Sequence, residues 1–195
     1  MPPGWLPTQD GGSRMRSSAC LALSAALLLA APLSAQEKAA VAPDREHRLL
    51  AALAGKWAVK QSFWLAPGKP PRRDEGTAEL AMVLNGRHLR QNLHIADGTD
   101  FEGLSYLGYD SAAQRFFSTW MDVNFPGLVI AWGGLDDAAK TITLRGAIAA
   151  AQGQDPVPVR EVLTLTDAEH FRYEFYETRG GAETLAVRLD YTRRR

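Results

Sequence analysis

The chain has 195 residues, with 22 basic and 22 acidic side chains and a formal net charge of zero. That length gives room for one domain and an appendage. The charge balance excludes the basic face that nucleic acid requires and the polybasic anchor that acidic lipid requires.

The appendage is N-terminal. Arg14 and Arg16 precede an apolar run from Leu21 to Leu33, and Ser34-Ala35 supplies the small residues of a signal-peptidase site. The run is shorter than the roughly 20 residues that cross a bilayer. This order predicts a cleaved signal over residues 1–35, a periplasmic or secreted location and no stable membrane insertion, with Met15 as an alternative start. The only cysteine, Cys20, precedes the apolar run, whereas a lipoprotein cysteine would follow it. Cleavage after Ala35 leaves a domain without thiols, suited to an oxidising compartment.

Residues 36–43 read as an Ala-rich linker and 44–195 as the domain. Asp44 caps a helix expected over about Arg45 to Ala54, with Leu49, Leu50 and Leu53 on one stripe and Gly55 as its stop. So short a helix is not stable alone. Its leucines must dock on the sheet, as a plug over one barrel mouth.

Strands and turns then follow to the C-terminus. Turn signals fall at Pro67-Gly68, Asn85-Gly86, Asp97-Gly98, Asp110-Ser111, Pro126-Gly127, Asp136-Asp137, Gly153 to Pro156, Asp167 and Gly180-Gly181. No gap between them holds a crossover helix, which excludes a parallel sheet. Alternation puts Trp57, Val59, Gln61 and Phe63 on one face, and likewise Ala78, Leu80, Met82 and Leu84. Leu89, Gln91, Leu93 and Ile95 face in, while His88, Arg90, Asn92 and His94 face out. Further inward rows are Ile142/Leu144, Val157/Val159/Leu163/Leu165, Phe171/Tyr173/Phe175 and Leu185/Val187/Leu189/Tyr191. The segments near Phe101–Tyr109 and Phe116–Val123 are apolar on both faces, so alternation does not orient them. The expected fold is all-β: a single antiparallel up-and-down barrel of about ten strands, closed because closure hides the edges.

Leu53-Ala54-Gly55-Lys56-Trp57 resembles the Gly-x-Trp segment that opens the calycin barrels, which include lipocalins, fatty-acid-binding proteins and nitrobindins. Phe101-Glu102-Gly103-Leu104, Leu107-Gly108-Tyr109-Asp110 and Thr119-Trp120-Met121-Asp122 resemble the bacterial family called domain of unknown function 1579, over about Arg48 to Arg193. The resemblance implies a calycin-like barrel, often exported, with no established activity. Nitrobindins hold haem through a histidine on the last strand. Glu183 to Thr192 contains none, so no haem and no other cofactor is expected. Lipocalins stack a late arginine over the first-strand tryptophan; Arg188 is the candidate here, although alternation places it opposite Val187 and Leu189.

Catalytic motifs are absent. Gly103-Leu104-Ser105-Tyr106-Leu107 lacks the second glycine of a nucleophile elbow, and there is no HExxH or phosphate loop. His88 and His94 lie about 20 Å apart along one strand at 3.3 Å per residue, too far to share a metal. His47 and His170 read as surface residues. Glu161 stands in the apolar row Val157/Val159/Leu163/Leu165, and an unpartnered carboxylate there is costly. Gln91 and Gln61 interrupt other rows in the same way. Either these groups orient a ligand in an apolar cavity, or a bulge turns Glu161 outward, or it pairs with Arg160 or Arg145. Arg172, Glu174, Arg188 and Asp190 form an outward charge ladder.

The functional expectation is a barrel, monomeric or weakly dimeric, that binds a small apolar or amphipathic ligand without transforming it. Its cavity would be lined by Trp57, Phe63, Leu80, Met82, Leu93, Phe175 and Leu189, with Gln91 and Glu161 as polar contacts. An isomerase or cyclase using Glu161, and a scaffold with a filled interior, are the alternatives. A raised Glu161 pKa would favour the enzyme, and the lack of a cavity would favour the scaffold.

Overall fold

The computed structural model describes residues 43–195 except Ala139 and Ala151, so the expected signal segment and all of the linker but Pro43 lie outside the described residues. One helix, α1 (Arg45–Ala51), precedes ten strands: β1 (Gly55–Phe63), β2 (Arg72–Val83), β3 (His88–Ile95), β4 (Phe101–Asp110), β5 (Arg115–Asp122), β6 (Phe125–Asp136), β7 (Thr141–Ile148), β8 (Val157–Leu165), β9 (His170–Arg179) and β10 (Ala182–Arg193). Each strand pairs antiparallel with its chain neighbours, and β1 pairs with β10 to close the barrel. Among the described residues, no helix is long and apolar enough to cross a membrane.

The two ends differ. The end where β1 starts and β10 finishes is closed by α1, whose Leu50 is fully buried together with Leu53 just beyond it. Arg45 anchors the helix to the β6–β7 turn through Asp137, at 2.6 and 3.1 Å. The opposite end, ringed by the turns after β1, β3, β5, β7 and β9, is a mouth.

The alternation expected for β1, β2 and β3 is observed except at Leu84, which lies beyond the end of β2 in the turn, with φ 51, and is exposed rather than inward. Trp57 and Val59, Ala78 and Leu80, and Leu89, Leu93 and Ile95 are all buried. Pairing orients the two strands that composition left open. Phe101, Ser105, Leu107 and Tyr109 of β4, and Phe116, Ser118 and Trp120 of β5, face the interior. Phe117 faces out, where its ring meets His88 and Trp132. The outward ladder forms as Arg172–Asp190 at 2.7 Å and Arg188–Glu174 at 2.9 Å.

Four local expectations are corrected. The helix ends at Ala51 rather than Ala54, because Leu53 and Ala54 bond back three residues in a tighter turn. The turn expected at Pro126-Gly127 forms instead at Val123-Asn124, where Asp122 accepts the Asn124 N–H at 2.8 Å; Pro126 and Gly127 lie inside β6. A register shift places Leu185 opposite Tyr176 rather than in the inward row of Val187, Leu189 and Tyr191. His47 is buried, not a surface residue: its Nδ1 accepts the Asp44 N–H at 3.2 Å and its ring meets the Tyr109 ring edge-on.

Candidate functional site

A cavity of about 570 Å³ occupies the barrel above this closed end, within the range of small-ligand sites. Its floor is Leu53, and its walls are inward side chains of all ten strands. Phe63, Leu80, Gln91, Leu93, Glu161, Phe175 and Leu189 line it, as the alternation of their strands requires. Trp57 and Met82 do not. Both point inward, but the strands extend below the cavity floor. Trp57 is fully buried there, its Nε1 donating to the Leu53 carbonyl at 3.0 Å, and Met82 packs half-buried against the core.

The Gly-x-Trp segment has a structural explanation. The guanidinium of Arg193 lies 4.2 Å over the Trp57 ring. It donates to the carbonyls of Ala52, Ala54 and Ala168, each at 2.8 Å. Two of these carbonyls follow the end of α1, where backbone acceptors lack helical partners. A Cβ on Gly55 would sit 2.4 Å from Arg193 Nη1, and Gly55 has φ +144, so only glycine suits the position. Arg193 takes the place expected of Arg188. The latter points outward because it pairs across the sheet with Glu174, and its guanidinium lies 5.9 Å from the Trp64 ring.

The segments around Gly103 and Trp120 meet at the cavity wall. A Cβ on Gly103 would lie 2.3 Å from the Trp120 indole, so the glycine makes room for the ring. Trp120 stacks on Phe101 at an interplanar angle of 16° and donates from Nε1 to Asp122 Oδ2 at 2.7 Å. Asp110, ending the third segment, caps its turn by accepting the N–H groups of Ala112 and Ala113 at 3.0 Å.

Glu161 is the main polar feature of the interior. It is 4 % exposed and faces in, which removes both alternatives that turned it away. Arg160 instead pairs outside with Glu183 at 2.7 Å and stacks on Tyr176. Ser118 donates to Glu161 Oε2 at 2.7 Å, and the Tyr173 hydroxyl is its second hydrogen-bond partner. Burial pushes the carboxyl up to about 7, against the pull of these two bonds. Burial also raises the phenols of Tyr173 and Tyr191, so both stay protonated. Tyr191 donates to Gln91 Oε1 at 3.0 Å. Ser118, Tyr173 and Tyr191 were not anticipated as polar contacts. The two tyrosines read as core rings, and Ser118 lies on a strand whose apolar faces hid its orientation.

The rim carries Arg72, Asp97, Asp122 and Glu177. Arg72 binds Asp74 at 2.8 Å and Asp97 at 3.0 Å, while Arg179 binds Glu177 at 2.6 Å. The lining contains no histidine, cysteine or methionine. Among the described residues, no group of three or more His, Cys, Asp or Glu is placed to hold a metal. The interior can therefore hold an apolar body, accept hydrogen bonds at Glu161, and exchange a proton there near neutrality.

Comparison with known proteins adds the family. No curated protein matches the chain. Among solved structures it is similar to Rv2717c from M. tuberculosis, with a TM-score of 0.59 at 15% identity, covering 79% of this chain and 100% of that one. A redesigned beta barrel is also found, with a TM-score of 0.34 at 13% identity over 76% of this chain and 96% of that one. The first likeness is one of fold. Residues 42–193 match the family described as "Protein of unknown function (DUF1579)", and with its ten-stranded closed barrel the chain belongs to that family.

Proposed function

We propose that the barrel binds one small amphipathic molecule, its apolar part against the walls and one polar group against Glu161. The observation that carries this reading is a buried carboxyl facing a cavity of about 570 Å³ with no cationic partner among the described residues. Burying such a group costs stability, and a ligand donor offsets the cost. The cavity weighs against a filled scaffold. Titration with Nile red, a neutral apolar dye, tests the reading. Saturable binding at one site, lost in Val187→Trp, which fills the space beneath the mouth, is expected. Fluorescence that rises without saturation would sink it.

One observation favours a second reading, proton-transfer catalysis. A carboxyl with its pKa near 7 is matched to general acid–base work at neutral pH. Any turnover of a bound ligand should then vanish in Glu161→Gln while the ligand still binds.

The reading extends to an exported protein, supported by the charged, apolar and small-residue order of Arg14 to Ala35. N-terminal sequencing of the periplasmic fraction should find a chain beginning at or near Gln36. A soluble cytoplasmic chain retaining Met1 or Met15 would refute export.

A further inference from the structure

The charges around the cavity are lopsided. Four lining side chains are acidic (Asp97, Asp122, Glu161 and Glu177) and one is basic, Arg72. That one cation already bridges Asp74 and Asp97, at 2.8 and 3.0 Å. Glu177 is matched by Arg179 outside the cavity at 2.6 Å. Among the described residues, Asp122 and Glu161 remain without a cation: Asp122 accepts from Trp120 and from the Asn124 N–H, and Glu161 from Ser118 and Tyr173. One of these lies at the rim and the other deep in the interior.

Three interior hydroxyls are committed. The hydroxyls of Ser118 and Tyr173 serve Glu161, and that of Tyr191 serves Gln91. A carboxylate has about four lone-pair positions, so Glu161 keeps acceptor capacity toward the cavity after two bonds. A ligand whose polar end is a carboxylate meets like charge at Asp122 and Glu161. An ammonium brings three donors and the missing positive charge. Trp120, Tyr173 and Phe175 in the walls offer ring faces that also attract a cation.

We infer that the ligand class is an organic amine, with an apolar skeleton held by the barrel walls and a protonated nitrogen donating to Glu161. This rests on the binding reading above. The amine enters through the acidic rim, passes Asp122, and exchanges its water shell for the carboxylate of Glu161. An anionic lipid of the same size is disfavoured at both places.

Three ligands sharing one skeleton test the assignment: 4-phenylbutylamine, 4-phenylbutanol and 4-phenylbutyrate, each displacing Nile red at pH 8. A charge-assisted hydrogen bond corresponds to about tenfold or more in affinity. The amine should therefore bind at least about tenfold more tightly than the alcohol, and the acid most weakly. Glu161→Gln should reduce the amine to about the alcohol's affinity and leave the alcohol within about threefold. Should that variant fail to fold, the order of the three ligands on the native protein decides. An alcohol or acid that equals the amine overturns the amine assignment, as does bound Nile red that none of the three displaces. Absence of Nile red binding overturns instead the cavity reading on which the assignment rests.

Discussion

At the closed end of the barrel, Trp57, Arg193 and the stacked rings of Phe171 and Tyr191, 4.0 Å apart, fill the interior and satisfy the carbonyls that follow α1. At the mouth, Phe63, Phe101 and Phe125 surround open space, and the charges pair across the surface. At the closed end the Trp57 bond to the Leu53 carbonyl is fully buried, and the Arg193 bonds are sheltered in part. Those of the rim sit partly in water, where an ion pair contributes little. Close packing is thus placed at one end of the sheet and open space at the other.

The largest effect that tests this division is Trp57→Ala. Removing a fully buried indole should cost about 3–5 kcal/mol, read as a lower urea midpoint with an unchanged slope. Arg193→Met keeps part of the stacking but orphans three carbonyls, and should cost about 1–3 kcal/mol. The matching truncation at the mouth, Phe125→Ala, removes a half-buried ring and should cost about 1 kcal/mol. If the mouth variant proves as damaging as Trp57→Ala, the closed end is not the seat of stability.

Alternation and turn residues made the barrel legible because each strand has one interior face. That signal was weakest where both faces are apolar. Phe117 packs outside the barrel against His88 and Trp132 while Phe116 and Trp120 face in, so β5 carried large rings on both sides. Orientation there came only from pairing with β4 and β6, which is not local in sequence. The same limit applies to depth. Period-two alternation says that Trp57 and Met82 point inward, but it does not say where along the axis the cavity stops. Arg193 escaped notice because its partners, Ala52 and Ala54, are backbone carbonyls 141 and 139 positions earlier. Glu161 and Gln91 were legible because a polar residue in an apolar row breaks the pattern visibly. Ser118 was not, being small and on an unoriented strand.

The interior carboxyl extends the comparison to the cavity and makes it depend on pH. Glu161 titrates at about 7 in the folded barrel, against an ordinary value of 4.5. Between those two values the native state binds the proton that the unfolded chain has already released, so stability falls as pH rises. The contribution is fully present below about 4.5 and is lost as pH passes through about 7. At 1.36 kcal/mol per pH unit the total loss is on the order of 3 kcal/mol. Tyr173 and Tyr191, which share the interior, stay protonated throughout this range. Glu161→Gln retains the shape and an acceptor for Ser118 but has no proton to lose. Urea unfolding at pH 5 should therefore give similar stabilities for the two proteins, and at pH 8 the variant should be the more stable by about 2–3 kcal/mol. Titrating groups elsewhere, such as His88, whose imidazole burial pushes below its ordinary value, are common to both proteins and cancel in the difference. A difference that stays constant from pH 5 to pH 8 would show that Glu161 does not hold its proton in the folded state. A saturating amine at pH 8 should narrow the gap by binding the native protein far better than the variant.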